Sequence, residues 1–137
     1  MDLETQDAAI VLDYRWKIRG EYENKLTEQD YGVMVVQAKC DLDQVVWVSV
    51  EYDEHGHGVL PAALAACRWD NSDKKFAGAA YEARQVVAPV EIVNASDTDW
   101  YDVTAVLAAE RIGLRQLIDG WCRTRYREKN GHEPPVA

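Results

Sequence analysis

The stretch VVWVSVEY, residues 45–52, is the clearest secondary-structure signal in this chain. Val46, Val48 and Val50 alternate with residues of the opposite face, one of which is the charged Glu51. A period of two is typical of a β-strand that buries one of its faces. The stretch therefore predicts a strand whose three valines point into the hydrophobic core.

Two upstream runs have a similar character. Residues 12–18 alternate between apolar or aromatic side chains and charged ones, and residues 31–39 are mostly apolar. The sequence DLDQ, residues 41–44, follows the second run, and Asp is common in tight turns because its side chain bonds to nearby backbone. We therefore expect strands over both runs, the second forming an antiparallel hairpin with residues 45–52.

The second half of the chain carries helical signals. Helix-forming residues follow Pro61, which predicts a short helix over 62–69, and capping side chains precede a second predicted helix over 74–85. Residues 90–93 are short and β-branched, which favours a fourth strand. From residue 96 onward the apolar period becomes helical and indicates a long helix, or two helices with a break near Gly113.

These elements predict a single α+β domain that covers residues 1–137. A chain of 137 residues is long enough for one hydrophobic core. We expect a three- or four-stranded, mainly antiparallel sheet that is packed on one face by helices, including the long or broken C-terminal helix. Residues 1–7 and 130–137 are predicted to be loose tails.

Charge is distributed unevenly along the sequence. Residues 1–110 contain 21 Asp and Glu against 9 Lys and Arg, a net charge of −12, whereas residues 111–137 contain 3 against 6, a net charge of +3. Such an asymmetry affects association and the choice of partner more than the fold. It indicates an acidic body followed by a basic C-terminal helix.

The sequence predicts a cytoplasmic protein without a membrane segment. Cys40, Cys67 and Cys122 are odd in number and form no CxxC pair, so a disulfide framework is not expected. The N-terminus is acidic and polar where a secretory signal would begin with positive charge and continue with an apolar run. No stretch approaches 18 consecutive apolar residues.

One loop contains the residue types of a metal site. In residues 53–58, DEHGHG, His55 and His57 lie two positions apart and would face the same side of an extended segment, with Asp53 or Glu54 as an oxygen ligand. A third protein ligand would have to come from elsewhere in the chain. We interpret the segment as a solvated loop and predict no metal and no other cofactor, and a metal-dependent enzyme at this loop is the third functional alternative.

The C-terminal region loosely resembles a helix-turn-helix. An alanine, a glycine four residues later and an apolar residue after it occur in residues 109–114, and the following helix carries Arg123, Arg125 and Arg127. Asp119 falls where the second helix usually buries an apolar residue, and the acidic body would repel a duplex. A DNA-binding regulator that uses residues 103–129, with these arginines as phosphate contacts, is therefore the second alternative, and binding of nucleic acid is not expected.

The favoured functional hypothesis is a non-enzymatic, acidic protein-binding module. Its class would be an inhibitor of the immunity or phage counter-defence type, which covers a basic, nucleic-acid-handling protein. Trp47, Glu51, Asp53 and Glu54 are the predicted contact residues, because an exposed aromatic residue beside carboxylates provides an anchor and steers a basic partner. No catalytic residue is predicted, and a homo-oligomer is compatible with the sequence.

Overall fold

The computed structural model describes residues 9–15, 17–20, 31–65, 67–94 and 97–135. The elements in these ranges, in chain order, are β1 (Ile10–Asp13), α1 (17–20), α2 (Tyr31–Asp41), β2 (Val45–Val48), α3 (Ala62–Ala65), α4 (Lys74–Ala83), β3 (Val90–Asn94), a 3₁₀ helix (Asp99–Val103), α5 (Thr104–Ala109), β4 (Ile112–Gln116) and α6 (Asp119–Asn130). None of the described helices combines the length and the apolar character that crossing a bilayer requires. The predicted tail at residues 1–7 and Trp16, within the predicted strand over residues 12–18, lie outside the described ranges.

The four described strands form two separate parallel pairs. β1 pairs with β2 from Ile10 beside Val45 to Asp13 beside Val48, and β3 pairs with β4 in the same sense. The α+β class is therefore correct, whereas the predicted mainly antiparallel sheet of three or four strands is wrong. Parallel strands need a crossover connection, and helices rather than tight turns lie between the members of each pair.

The predicted strand over residues 31–39 is a helix, α2. Its buried side chains include Val35, Val36 and Lys39, which are spaced by three and four residues as on one face of a helix. Periodicity alone does not separate a short apolar run in a strand from one in a buried helix. The predicted hairpin is therefore wrong as well, and the residues around Asp43, which has a φ of 56°, end α2 and lead into β2.

The predicted strand over residues 12–18 ends early, because β1 stops at Asp13 and residues 17–20 are helical. The backbone N–H groups of Lys17 and Ile18 donate to the Asp13 carboxylate over 3.1 and 2.9 Å. An acidic side chain at the start of a helix satisfies N–H groups that have no partner within the helix. The alternation through Ile18 therefore reflects a strand, a turn and a helix in succession.

The predictions for the second half are partly confirmed. The helix over 74–85 corresponds to α4 and the strand over 90–93 to β3, but the helix over 62–69 is limited to the single turn of α3. Of the two alternatives for the C-terminal region, a long helix or two helices with a break near Gly113, the structure has two helices, α5 and α6, and a whole strand, β4, lies between them. Arg111 takes up a left-handed φ of 62° directly after α5, which ends that helix.

The predicted helix-turn-helix is therefore wrong as a structure. Residues 109–114 run from the end of α5 into β4, and Gly113 lies opposite Glu91 in the β3 and β4 pair. A Cβ atom at residue 113 would lie 3.4 Å from the Glu91 Cβ, so the glycine fits a crowded position in a sheet rather than a turn between helices.

One hydrophobic core contains side chains from both strand pairs. The predicted strand over residues 45–52 is confirmed only for Val45–Val48, the extent of β2. Val48 and Val50 are buried, as predicted, and Val46 is partly buried against the core. α4 contributes mainly alanines, and their small side chains let the helix pack closely on β1 and β2. A Cβ atom at Gly78 would make an ordinary contact of 3.5 Å with Cγ1 of Val50, which follows β2.

A second, smaller cluster packs α6. Cys122 and Tyr126 are buried against Tyr101 of the 3₁₀ helix, and the two tyrosine rings meet edge to face with centroids 5.6 Å apart. The Tyr126 hydroxyl donates to Asp102 over 2.5 Å. These contacts fix which face of α6 points inward, and Trp121 lies on the outward side with half of its surface exposed.

Candidate functional site

The predicted contact residues lie at the carboxyl edge of the β1 and β2 pair. In a parallel pair both strands end at the same edge, here at Asp13 and Val48. The chain that leaves β2 then passes through Glu51 and the loop at residues 53–57. Side chains at this edge therefore come from the ends of both strands and from the loop that follows β2.

A buried carboxylate organises this edge. Asp13 is fully buried, and besides the two backbone N–H groups it accepts a 2.9 Å hydrogen bond from the Tyr52 hydroxyl. Burial, followed by this hydrogen bond, raises the pKa of Tyr52 well above its usual value, so the hydroxyl stays a donor. Both Asp13 oxygens are engaged within the protein, which makes the residue a structural one that ties β1 to the segment after β2.

An aromatic pair covers the same edge. The Tyr14 and Trp47 rings are stacked with centroids 6.1 Å apart and planes inclined by 21°. Trp47 is partly buried against the core, whereas Tyr14 is 63% exposed. Sequence reasoning missed Tyr14, because the alternation placed it on the same face as the buried Leu12. In the structure the chain turns directly after Asp13. An Asp at the end of an apolar run could have indicated from the sequence that the strand stops there.

The three predicted carboxylates differ in their surroundings. All three are exposed, and in the described part of the chain the Glu51 carboxylate has no hydrogen bond or ion pair. Glu54 lies 3.4 Å from His55, and both side chains are largely exposed. Asp53 instead holds the loop, because one of its oxygens accepts the backbone N–H groups of His55 and His57 over 2.9 and 3.0 Å.

The electrostatic state of Asp53 follows from these bonds. The hydrogen bond from the His57 backbone is the largest influence that holds the Asp53 pKa below its ordinary value. The carboxylate is thus ionised, and one of its two oxygens is already used by the loop. Glu51 and Glu54 remain the carboxylates whose charge is directed to solvent.

Positive side chains lie at the same edge. The Arg15 guanidinium lies over the Tyr52 ring, 5.2 Å from its centroid. The Lys17 ammonium lies 3.8 Å from the position that a Cβ atom on Gly56 would occupy. The edge therefore carries charges of both signs.

The two histidines of the loop do not meet a third ligand in the described ranges. Their ring centroids lie 6.2 Å apart, and His55 is exposed. The one described group that brings three possible metal-binding atoms within 4.8 Å of one another consists of Asp73, Asp97 and Asp99. That cluster includes neither histidine.

Contacts within the protein account for much of the acidic cluster. One Asp97 oxygen accepts the backbone N–H of Asp99 over 2.8 Å, and the Lys129 ammonium lies 3.4 Å from the Asp99 carboxylate. Burial is the main cause that raises the pKa of Asp97. The cluster thus contains a desolvated carboxyl group and a lysine that offsets part of the negative charge.

The arginines of α6 are already paired with carboxylates. Arg123 bonds to Asp119 over 2.7 Å, Arg125 to Glu128 over 2.9 Å and Arg127 to Glu133 over 3.1 Å. These pairs place negative charge beside each predicted phosphate contact. The face of α6 is consequently close to neutral rather than strongly basic.

The sequence-predicted residues thus occupy two different parts of the fold. Trp47 and its acidic neighbours lie at the carboxyl edge of β1 and β2, whereas Arg123, Arg125 and Arg127 lie on α6. No protein-family model, curated protein or solved structure matches this chain.

Proposed function

We propose that this protein is a non-enzymatic binding module that captures a basic, nucleic-acid-handling protein and inhibits it. The observation that carries the proposal is the exposed Tyr14 ring stacked on the Trp47 ring, together with Glu51 four positions later, which is exposed and whose carboxylate makes no hydrogen bond or ion pair among the described residues. Aromatic residues held in place at a surface are the usual anchors of protein interfaces.

The aromatic pair supports affinity. Trp47 is packed against the core, and Tyr14 lies on it in a stacked arrangement, so neither ring has to be ordered from a free state when a partner docks. Binding costs less free energy when the contact residues are already held in position. A largely exposed tyrosine ring also offers a hydroxyl group to a partner together with its apolar area.

The charge supports a basic partner. The protein carries a net charge of −9, and Glu51 and Glu54 point their carboxylates to solvent at the proposed site. Carboxylates at the rim of an interface accelerate the approach of a positive surface. Arg15 and Lys17 favour a partner that has an acidic or carbonyl group opposite them, and they thereby restrict the orientation of the complex.

The first experiment compares four immobilised proteins in affinity capture from a lysate of the source cells. They are the wild type, Tyr14→Ala, Glu51→Lys and the control Asp41→Lys. Asp41 is exposed at the end of α2, before the amino edge of β2, so its reversal changes net charge equally at the opposite end of the strand pair. We expect one basic protein, identified by mass spectrometry, to be retained by the wild type and the control and lost from the other two.

Equal retention by all four proteins, or loss from the control as well, contradicts the proposal. The rates at which the captured protein associates with the wild type and with each variant are then measured. Glu51→Lys should slow association at low salt, and the difference from Asp41→Lys should shrink at high salt because exposed charges are screened. Inhibition requires that the nucleic-acid-processing activity of the partner falls in proportion to added wild-type protein, and unchanged activity at saturation contradicts that part of the proposal.

A further inference from the structure

The Tyr14 ring at the proposed site has one covered face and one open face. The covered face stacks on Trp47, with ring centroids 6.1 Å apart, and the residue as a whole is 63% exposed. No cationic side chain of the described ranges lies over this ring. The second face of the ring is therefore directed to solvent.

Other aromatic rings of this protein carry a cation from the chain itself. Five described rings have a lysine or arginine head group 4.0 to 5.9 Å from the centroid: Tyr52 with Arg15, Phe76 with Lys75, Tyr81 with Arg84, Tyr101 with Arg123 and Trp121 with Arg125. Four of these five cations are arginines. Tyr14 is the most exposed aromatic residue in the described part of the chain, and it lacks such a neighbour.

An unpaired carboxylate lies close along the chain. The Tyr14 backbone N–H donates to the Val48 carbonyl over 3.1 Å, which joins Tyr14 to the end of β2. Glu51 follows Val48 by three residues, and three residues of extended chain span at most about 11 Å. Glu51 is exposed, and its carboxylate has no hydrogen bond or ion pair in the described ranges. The open ring face and a free negative charge thus belong to the same edge of the sheet.

We infer that the group that docks on the open face of Tyr14 is an arginine side chain of the partner. This inference rests on the proposed function and specifies the contact residue of the basic partner. A guanidinium is planar, so it stacks on an aromatic ring while its N–H groups point outward to a carboxylate such as that of Glu51. A lysine ammonium is a compact and strongly hydrated charge, and it gains less from an aromatic face.

The arginine that follows Tyr14 in the chain does not fill this position. The Arg15 guanidinium is held over the Tyr52 ring instead, 5.2 Å from its centroid. The protein as a whole carries a net charge of −9, so an incoming arginine is attracted over long range despite this local positive charge. The ring then supplies what distinguishes arginine from lysine, and the carboxylates supply the attraction that both share.

Nuclear magnetic resonance titration of the full chain with two capped peptides, tri-arginine and tri-lysine, tests the inference. Both peptides carry three positive charges. We expect tri-arginine to bind about two- to fivefold more tightly, the size of an exposed cation–π contact, and to shift the Tyr14 ring signals. Added salt should weaken both peptides and leave their ratio in place, because screening acts on the charge that they share.

Three variants locate the preference for arginine. Tyr14→Phe keeps the aromatic face and should keep the preference, whereas Tyr14→Leu keeps apolar area without that face and should lose it. Trp121→Leu is the control, because Trp121 is a 52% exposed ring that already carries Arg125. It should leave the preference unchanged. Folding of every variant is verified by circular dichroism.

The inference is overturned if tri-arginine binds no better than tri-lysine, absence of binding by both included. It is also overturned if Tyr14→Leu retains the preference or if the Tyr14 ring signals stay in place. These failures are separate from failure of the proposed function. Capture that depends on Tyr14, with equal affinities of the two peptides, removes the inference alone. A preference that requires the Tyr14 ring, without a captured basic protein, removes the proposed function alone.

Discussion

Tyr52 donates a 2.9 Å hydrogen bond to Asp13, a carboxylate that lies 39 positions earlier and is fully buried at the end of β1. The same carboxylate accepts the backbone N–H groups of Lys17 and Ile18. One side chain thus ends a strand, starts a helix and fastens the segment that follows β2. The position of the Tyr14 and Trp47 pair at the proposed site depends on this arrangement.

Loss of the Asp13 carboxylate should destabilise the fold strongly. Asp13→Ala leaves two backbone donors and the Tyr52 hydroxyl without their acceptor, and each buried unsatisfied group costs about 1–3 kcal/mol, so we expect a loss of about 3 kcal/mol or more. Tyr52→Phe removes one hydrogen bond and should cost about 1 kcal/mol. Urea unfolding measures both changes. Equal stability of Asp13→Ala and the wild type would show that this carboxylate does not hold the edge.

Replacement by alanine should change stability in opposite directions at Gly58, which packs against the start of α4, and at Gly78, which lies within α4. A Cβ atom on Gly58 would lie 2.8 Å from the Lys75 backbone nitrogen, so Gly58→Ala requires the backbone to move and should lower stability by more than about 1 kcal/mol. Gly78 lies inside α4, and its Cβ atom would make an ordinary 3.5 Å contact with Val50, so Gly78→Ala should raise stability by up to about 1 kcal/mol. Thermal melts compare the two variants, and the reverse order would contradict the packing of α4.

The sequence predicted those elements whose pattern and boundaries agree. The predicted burial of the alternating valines matches the structure at Val48, which is in β2, and at Val50, which lies just after it. β3 follows a proline, and α4 follows residues that commonly cap helices, so local signals located both elements correctly. Amino-acid class and local periodicity are enough to predict an element when both indicate the same secondary structure.

The sequence did not predict how the strands pair. The run over residues 31–39 contains β-branched valines that suit a strand, yet Val35, Val36 and Lys39 are buried together on α2. Because residues 31–39 were interpreted as a strand that is joined to residues 45–52 by a short turn, the sequence predicted an antiparallel hairpin. Strand pairing depends on packing between distant segments, and local propensity does not encode it.

The candidate site was predicted in part for the same reason. Trp47 and Glu51 were assigned from alternation to the outer face of one strand. In the structure Trp47 lies in β2 and is half-buried against the core, whereas Glu51 lies beyond the end of β2 and is exposed. Tyr14 was missed, because its stacking on Trp47 requires the parallel pairing of β1 with β2. The engagement of Asp53 by the backbone of its own loop was not visible in the pattern either.

Removal of the partly buried charge at residue 97 should stabilise the protein at neutral pH. Burial raises the pKa of Asp97, so its contribution to stability is fully present below the ordinary pKa of the group and is lost as pH rises through the raised value. Asp97→Asn keeps an oxygen for the Asp99 N–H and removes the charge. We expect a higher melting temperature than that of the wild type at neutral pH and a gain that disappears in acid. If Asp97→Asn raises the melting temperature by the same amount at every pH, the stabilisation does not come from removal of the Asp97 charge.

The loop at residues 53–57 should keep its structure without a metal ion. One Asp53 oxygen already accepts two backbone N–H groups, and the Asp53 backbone N–H donates to the His57 carbonyl over 2.9 Å. Bound metal stabilises only the folded state, so a chelator would lower the melting temperature of a metalloprotein. We expect neither a chelator nor the double variant His55→Ala and His57→Ala to lower it measurably. A melt that is sensitive to chelator in the wild type and insensitive in the double variant would establish a metal site.

Duplex DNA should not bind at salt near the physiological level. Arg123, Arg125 and Arg127 each pair with a carboxylate on or next to α6, so a phosphate contact has to displace that partner and approach a protein with a net charge of −9. Fluorescence anisotropy with a labelled duplex at several salt concentrations measures the affinity. The matched variant replaces all three arginines by Gln. If the wild type binds in the micromolar range or tighter, and the variant lowers the slope of log affinity against log salt by about three, the arginines contact phosphates and the DNA-binding alternative replaces the proposed function.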